Sequence, residues 1–464
     1  MKRLIYLIGA LALCTTLTCF CVEKDPKKPI IIQPNGGEEE GGDTPNFKLG
    51  AVLPAWVKGQ FDIHFVNTTA GECIFLIFPD GTQMLIDAAG SSVATGDVNS
   101  SVTNTGIRSR WDPTTGVSRF NYGEFISRYI RKCQAWTGND KLDYILLTHF
   151  HNDHFGGADG HPVSGKSSSY TQQSLPLILD NFEVGKLMDR GWPDYDYPFD
   201  MCTYADNAAN CRNYVTAVKW HNANNGLKVE RFVAGSKSQI TLQQDAASYP
   251  TFTVRNLSVN GNIWTGNGEE SKATFPELKD IKVADPKNIG SADNCPAENH
   301  NSCAAKFSYG AFDFFAGGDL QYNGFSTYSW KDIETPVAKV CGEVDVMKAD
   351  HHGTIATNGY GERGLAWAMK YLKPKCWVVN SWTDQHPRQA TYEGVTGYLS
   401  DMDVFITNTC SDMQKYNDFN RVKGSNGHIV VRVYDGGAKY YVVTVSDSDE
   451  KMTVKQIAGP YKSK

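Results

Sequence analysis

The sequence predicts a mixed α/β sandwich. Two observations carry that prediction: strand-like runs outnumber helical ones, and the helical runs fall between strands. A doubly wound parallel sheet fits less well, because several neighbouring runs are joined by hairpin turns. With 464 residues, 41% hydrophobic and 21% charged, the chain is long enough for one large domain or two ordinary ones, and too apolar to be disordered or collagen-like. No internal repeat of about 20–50 residues is visible.

The elements follow in order. Lys2 and Arg3 precede a short apolar run, Leu4 to Leu17, too brief to span a bilayer, so residues 1–21 are expected to be an export signal of lipoprotein type. Cys14, Cys19 and Cys21 stand where a lipidated cysteine belongs, and Thr18 makes Cys19 acceptable whereas Phe20 is a poor neighbour for Cys21. Residues 22–46, rich in Pro, Gly and Glu, read as a flexible tether. The expectation is an exported protein, lipid-anchored to a bacterial membrane, and no later stretch approaches a membrane-spanning length.

Strand-like runs cover 61–68, 72–79 and 83–90, with Asp80-Gly81 supplying turn chemistry between the second and third. Phe120 to Trp136 has helical apolar spacing, and a buried strand, 142–148, follows. Residues 160–230 look like an elaborated surface segment, and 265–303 like a loop-rich one. Strands are expected at 229–235 and 251–259, then a pair within 306–319 about Tyr309-Gly310. A strand at 343–353 ends in histidines; helix 364–373 leads into strand 376–382; strand 403–407 and a hairpin over 428–445 close the pattern.

Nine of the twelve cysteines follow the export segment: 73, 133, 202, 211, 295, 303, 341, 376 and 410. In an exported chain the close pairs Cys202/Cys211 and Cys295/Cys303 are disulfide candidates, while Cys73, Cys376 and Cys410 sit by apolar runs and read as buried thiols. No C-x-x-C ladder is present, which argues against a cysteine zinc module.

The chemistry concentrates in Leu147-Thr148-His149-Phe150-His151-Asn152-Asp153-His154-Phe155-Gly156-Gly157, an H-x-H-x-D-H cluster directly after a buried strand. Alternate residues at a strand end share a face, so His149 and His151 are delivered to one side, and the turn presents Asp153 and His154 beyond them. Imidazole and carboxylate without thiolate suit Zn, Mn or Fe. Asp87, in the turn after Leu85-Ile86, either orients a ligand histidine or bonds nearby backbone.

On these residues the chain resembles the metallo-β-lactamase superfamily, whose signature is H-x-H-x-D-H after a strand. The likeness extends to PDGTQMLIDAAG (79–90) and to the strand ending Gly-Asp319. Asp350-His351-His352-Gly353-Thr354, HNSCAAKFSYG (300–310) and NSWTDQHPRQAT (380–391) resemble one branch, the hydrolase domain of ComEC-type competence DNA-uptake proteins and its free-standing relatives; Gln385 replaces that branch's glycine. The resemblance implies an αββα sandwich over residues 47–464 as a single domain, with insertions at about 160–230 and 265–303. It implies two divalent metal ions, Zn or Mn: His149 and His151 on the first, Asp153, His154 and one of His351/His352 on the second, and Asp319 bridging. His351, nearer the strand end, is the favoured member of its pair. His161, His221 and His300 lie where many members place a further ligand and match no motif; His64 and His428 read as structural.

The implied activity is hydrolysis, most directly of phosphodiester bonds, by a metal-bridging hydroxide that Asp153 orients, with His386 contacting substrate or donating a proton. Lactam, lactone or other ester hydrolysis, and a tethered binding protein without catalysis, are the alternatives. The formal charge of −6, from 45 basic and 51 acidic residues, favours a small or locally gripped phosphodiester over an extended nucleic-acid surface.

Overall fold

The computed structural model describes residues 44–90, 122–157, 163–280, 295–322, 328–354 and 364–464. The export segment, its cysteines, most of the tether, His161 and Phe120 lie outside them, as do residues 281–294 of the loop-rich stretch. Among the described residues no helix is long and apolar enough to cross a membrane.

Two nine-stranded mixed sheets face each other. The first runs β18 (Val454–Lys462), β17 (Lys439–Val445), β16 (His428–Tyr434), β1 (Phe61–Phe65), β2 (Ile74–Ile77), β3 (Gln83–Ile86), β4 (Leu142–Leu146), β5 (Val184–Asp189), β6 (Lys228–Arg231). The second runs β15 (Val422–Ser425), β14 (Asp403–Ile406), β13 (Cys376–Val379), β12 (Val346–Lys348), β11 (Phe312–Ala316), β10 (Ala304–Tyr309), β7 (Phe252–Val259), β8 (Asn262–Trp264), β9 (Ser271–Ala273). Each sheet is antiparallel on one side and parallel on the other, from β3 to β6 and from β11 to β15. Parallel neighbours need crossovers, and helices supply them.

Helices α1 (Tyr122–Thr137), α2 (Asn152–Phe155), α3 (Ser174–Asn181), α4 (Met201–Tyr204) and α5 (Ala208–Asn224) belong to the first half of the chain; α6 (Glu334–Cys341), α7 (Leu365–Leu372) and α8 (Gln389–Tyr398) belong to the second. Phe125, Ile126 and Ile130 of α1, Leu175 and Ile178 of α3, and Tyr214 and Val218 of α5 bury one outer face with Phe75 and Ile145. Val337, Met369, Leu372, Tyr392 and Val395 bury the other with Met347, Trp377 and Val404. Between the sheets Phe61, Ile63 and Phe65 meet Phe307, Phe312 and Phe314, with edge-on ring pairs such as Phe65–Phe314 at 5.8 Å. The layers are therefore αββα, as the sequence implies.

The Asp80-Gly81 turn forms where expected: Gly81 sits at φ 93°, a conformation glycine adopts without strain. Residues 160–230 depart from the expected surface role. They place β5 inside the first sheet and α3 and α5 on its core, because Leu187, Tyr214 and Val218 are buried among polar neighbours that hide the pattern. The expected disulfides are absent: Cys202, Cys211, Cys295 and Cys303 are all free, and Cys211 Sγ instead contacts Asn207 Oδ1 within α5's first turn.

Beneath α1 lies a buried charged pair. Arg432 of β16 donates to both oxygens of Asp62 on β1, at 2.8 and 2.6 Å, and Asp62 also receives His64 Nε2 at 3.2 Å. Burial alone pushes the Asp62 carboxyl up, yet Arg432 and His64 more than offset it and hold it below its ordinary 3.8. Its stabilisation is thus complete above the unfolded-state pKa and is lost as pH falls through the lower folded one. Asp62→Ala should cost about 3–5 kcal/mol of unfolding free energy near neutral pH by denaturant titration. That deficit should shrink in acid; a deficit unchanged at low pH would rule the charge out as its source.

Candidate metal centre

Four strand ends converge at one rim of the sandwich. From the first sheet, β3 leads to Asp87 and β4 to Thr148, His149 and the short helix α2 with Asp153 and His154. From the second, β11 leads through Gly317-Gly318 to Asp319, and β12 to Asp350, His351 and His352. The glycines are required by proximity: a Cβ at Gly317 would lie 2.1 Å from Asp350 Oδ1, and one at Gly318, whose φ is +59°, would lie 3.0 Å from Ser302 Cβ and Thr148 Cβ.

Asp153, His154, Asp319 and His352 form a group whose potential ligand atoms all lie within 4.8 Å of one another. Asp319 is its hub. Its Oδ2 stands 3.1 Å from His154 Nε2, 3.4 Å from His352 Nε2 and 3.9 Å from His149 Nε2. Asp153 closes the outer side, 3.6 Å from His352 Nε2, with 37% of its side chain exposed. His149 Nε2 and His151 Nδ1 lie 3.1 Å apart beside this group.

Asp87 decides which nitrogen of His154 faces the centre. Its Oδ1 accepts from Thr148 N (2.8 Å), and its Oδ2 accepts from Thr148 Oγ1 (2.7 Å) and His154 Nδ1 (2.7 Å). With Nδ1 committed, Nε2 points at Asp319, buried and without an aligned hydrogen bond. Of the two roles foreseen for Asp87, these contacts fit the orienting one: the backbone N–H it accepts from is Thr148, 61 residues away, and not one of its own turn. Both ring nitrogens of His352 are likewise buried without hydrogen bonds. Orphaned imidazoles around two carboxylates are a costly arrangement for polar groups alone, and they fit a cation among them.

The protonation pattern agrees. Burial lowers His154, but Asp319, Asp87 and Asp153 override it and raise its pKa well above the usual 6.5. Burial, then His154 and His151, hold His149 well below that value. For Asp319 burial acts upward, and His154, His352 and Lys348 bring it well below the carboxylate range.

The structure brings only one of the two adjacent histidines into this group. His352, not His351, enters the group, because both residues sit in the left-handed region (φ 44° and 53°) and the chain turns on itself. His351 Nε2 instead contacts Asn299 Nδ2 at 3.2 Å. Two adjacent non-glycine residues in that region are a strain that a functional loop can retain. His386 packs beside His352, its ring 5.0 Å from that of His352 and 4.3 Å from that of Trp382. Burial, then His352 and His351, push its pKa well down, so its imidazole is neutral.

The remaining histidines fall elsewhere. His221 bonds Asp180 and Tyr170 at 3.0 Å each, and His300 Nδ1 accepts from Ala297 N while burial drives its pKa down to about 3. His64 bonds Tyr129, and His428 accepts from Asn67 N. Three participants escaped the sequence reading. Glu298 accepts from Phe150 N and Arg190 Nε, at 2.7 Å each, and so braces the His149–His151 loop. Glu72 and Lys348 are buried behind the centre. Their signal was a lone charge beside or within an apolar strand, which only burial distinguishes from a solvated one.

Comparison with known proteins adds a local match: the metallo-β-lactamase superfamily profile covers residues 112–162, the segment holding the histidine cluster. No curated protein matches. Among solved structures, a Parabacteroides distasonis protein provisionally described as a metal-dependent hydrolase shares 11% identity and a TM-score of 0.30, covering 75% of this chain and 92% of its own. The metallo-β-lactamase fold protein YhfI of Bacillus subtilis shares 10% and 0.34, covering 76% and 98%. Likenesses this distant carry no argument by themselves. The two mixed sheets with flanking helices are a metallo-β-lactamase type of fold. Such a fold with a cation-fitting cluster at its strand ends suggests a metal-dependent hydrolase.

Asp87→Ala would free both Thr148 and His154 Nδ1. Zinc affinity of the stripped protein should fall about 10–100-fold in a calorimetric titration. Wild-type affinity in that variant would show that Asp87 is only a turn residue.

Proposed function

We propose that the chain is an exported, membrane-tethered, metal-dependent hydrolase of phosphodiester bonds. The observation that carries the hydrolase reading is the convergence on Asp319 Oδ2 of imidazoles from both sheets, whose nitrogens facing it, His154 Nε2 and His352 Nε2, have no hydrogen bond. His149 and His151 would hold one divalent cation, Asp153, His154 and His352 a second, and Asp319 both. The phosphodiester part is supported by the likeness of 350–354 and 380–391 to the DNA-uptake branch, and the tether by the composition of residues 1–46.

A bound cation pair would supply an activated water near neutral pH and stabilise charge on a phosphoryl oxygen. The chain's own groups do the rest. Asp87 keeps His154 in one tautomer. Asp153, the part-exposed member of the group, would orient an incoming water. His386, neutral and adjoining Trp382, is suited to contact substrate more than to deliver a stored proton. Aligned groups of this kind gain most by holding reactants in place.

The test is phosphodiester turnover by the full chain together with its metal content. Chelation should abolish turnover, and Zn or Mn should restore it. Asp319→Ala should abolish turnover and release at least one ion while the protein stays folded by circular dichroism. A metal-free wild-type protein would sink the enzyme reading; a loaded protein inert on phosphodiesters and active on lactams or lactones would replace the substrate class.

A further inference from the structure

Two buried charges sit directly behind the centre. Glu72, on the loop entering β2, and Lys348, the last residue of β12, have side chains only 1% exposed and lie 3.3 Å apart, one from each sheet. Taking two ions out of water costs several kcal/mol each, and an apolar pair of similar volume is commonly as stable, so stability alone is a poor reason for them.

Their contacts supply a better one. Lys348 Nζ donates to Gly318 O at 2.6 Å and to Asp319 Oδ1 at 3.1 Å. The two oxygens of Asp319 are thereby divided: Oδ1 faces the ammonium, and Oδ2 faces His149, His154 and His352. Glu72 Oε2 stands 3.4 Å from His352 Nδ1. The other nitrogen of that ring, Nε2, faces Asp153 and Asp319. The Glu72 main chain is stitched to the same loop, its N donating to Asp153 O at 2.7 Å and its O accepting from Ala89 N at 3.0 Å.

We infer that Glu72 and Lys348 are a positioning pair for the cation site: Glu72 holds His352 in the Nδ1–H tautomer, and Lys348 turns Asp319 so that Oδ2 alone serves the centre. The inference rests on that cluster being a cation site. Asp87 fixes His154 through a 2.7 Å hydrogen bond, whereas Glu72 faces His352 Nδ1 at 3.4 Å without an aligned one, so its hold on the ring is electrostatic. Because the two charges cancel, the pair orients both groups without adding net charge behind them. Glu72→Gln alone would leave the Lys348 ammonium with Asp319 as its remaining carboxylate partner beside the cations, which opposes binding as well as loosening the ring.

The double variant Glu72→Gln/Lys348→Met removes both charges together and so avoids an unpaired buried ion. The full chain, stripped of metal, would be titrated with Zn by calorimetry, its bound ions counted, and its histidine ring nitrogens observed by NMR. The expected result is a melting temperature near wild type, zinc affinity lowered about 10–100-fold, and loss of the Nδ1–H preference at His352. Wild-type affinity with an unchanged tautomer would overturn the proposal, as would a double variant that no longer folds, since the pair would then be structural. If the wild type takes up no metal, the hydrolase reading fails, and the His352 tautomer in the metal-free protein, read at a pH high enough to make that ring neutral, alone decides the positioning role.

Discussion

The site depends on one carboxylate serving two sheets. Asp319 belongs to the second sheet, yet its Oδ2 is 3.1 Å from His154 on the first. That distance holds only if the sheets keep a fixed spacing, and the interlocked rings of Phe61, Phe65, Phe307, Phe312 and Phe314 provide it. Close-packed interiors transmit strain, so a lost ring between the sheets is felt at the rim. The glycines before Asp319 complete the constraint by letting β11, β12 and β4 end nearly in contact.

Around that carboxylate the protein arranges opposed environments for chemically similar groups. His149 and His386 are held neutral, while His154 is driven toward its charged form by three carboxylates. Each orientation is enforced from behind by a group that does not face the centre: Asp87 behind His154, Glu298 and Arg190 behind the His149–His151 loop. A site braced in this way spends little on reorganisation when a ligand arrives.

Much of this was legible in the sequence because it is local. The H-x-H-x-D-H run, the Gly-Asp at a strand end and the His-His-Gly turn each declare themselves within a few residues. Most strands of both sheets read correctly for the same reason: their apolar runs are bounded by turn residues. What stayed hidden was set by the third dimension. His351 and His352 are chemically identical neighbours, and only a left-handed backbone at both positions selects the second. Glu72 and Lys348 resemble ordinary strand-edge charges until their burial is seen. The α5 and β5 segments bury Tyr214, Val218 and Leu187 among asparagines and charges, which blurs their periodicity. The cysteine pairs were close along the chain, but proximity in sequence does not bring thiols together, and here they remain free.

The position of β1 has a consequence for how the molecule comes into being. It lies between β2, a few residues away, and β16, near the other end of the chain, and Asn67 N reaches His428 across 361 positions of sequence. Closing so long a loop costs entropy before any contact repays it, and chains dominated by such pairings fold slowly. The first sheet therefore cannot be completed until residues 428–462 have been made. The candidate cation group, drawn from both sheets, gains its final geometry only once the two sheets are brought together, so that any cation bound there would report on finished folding.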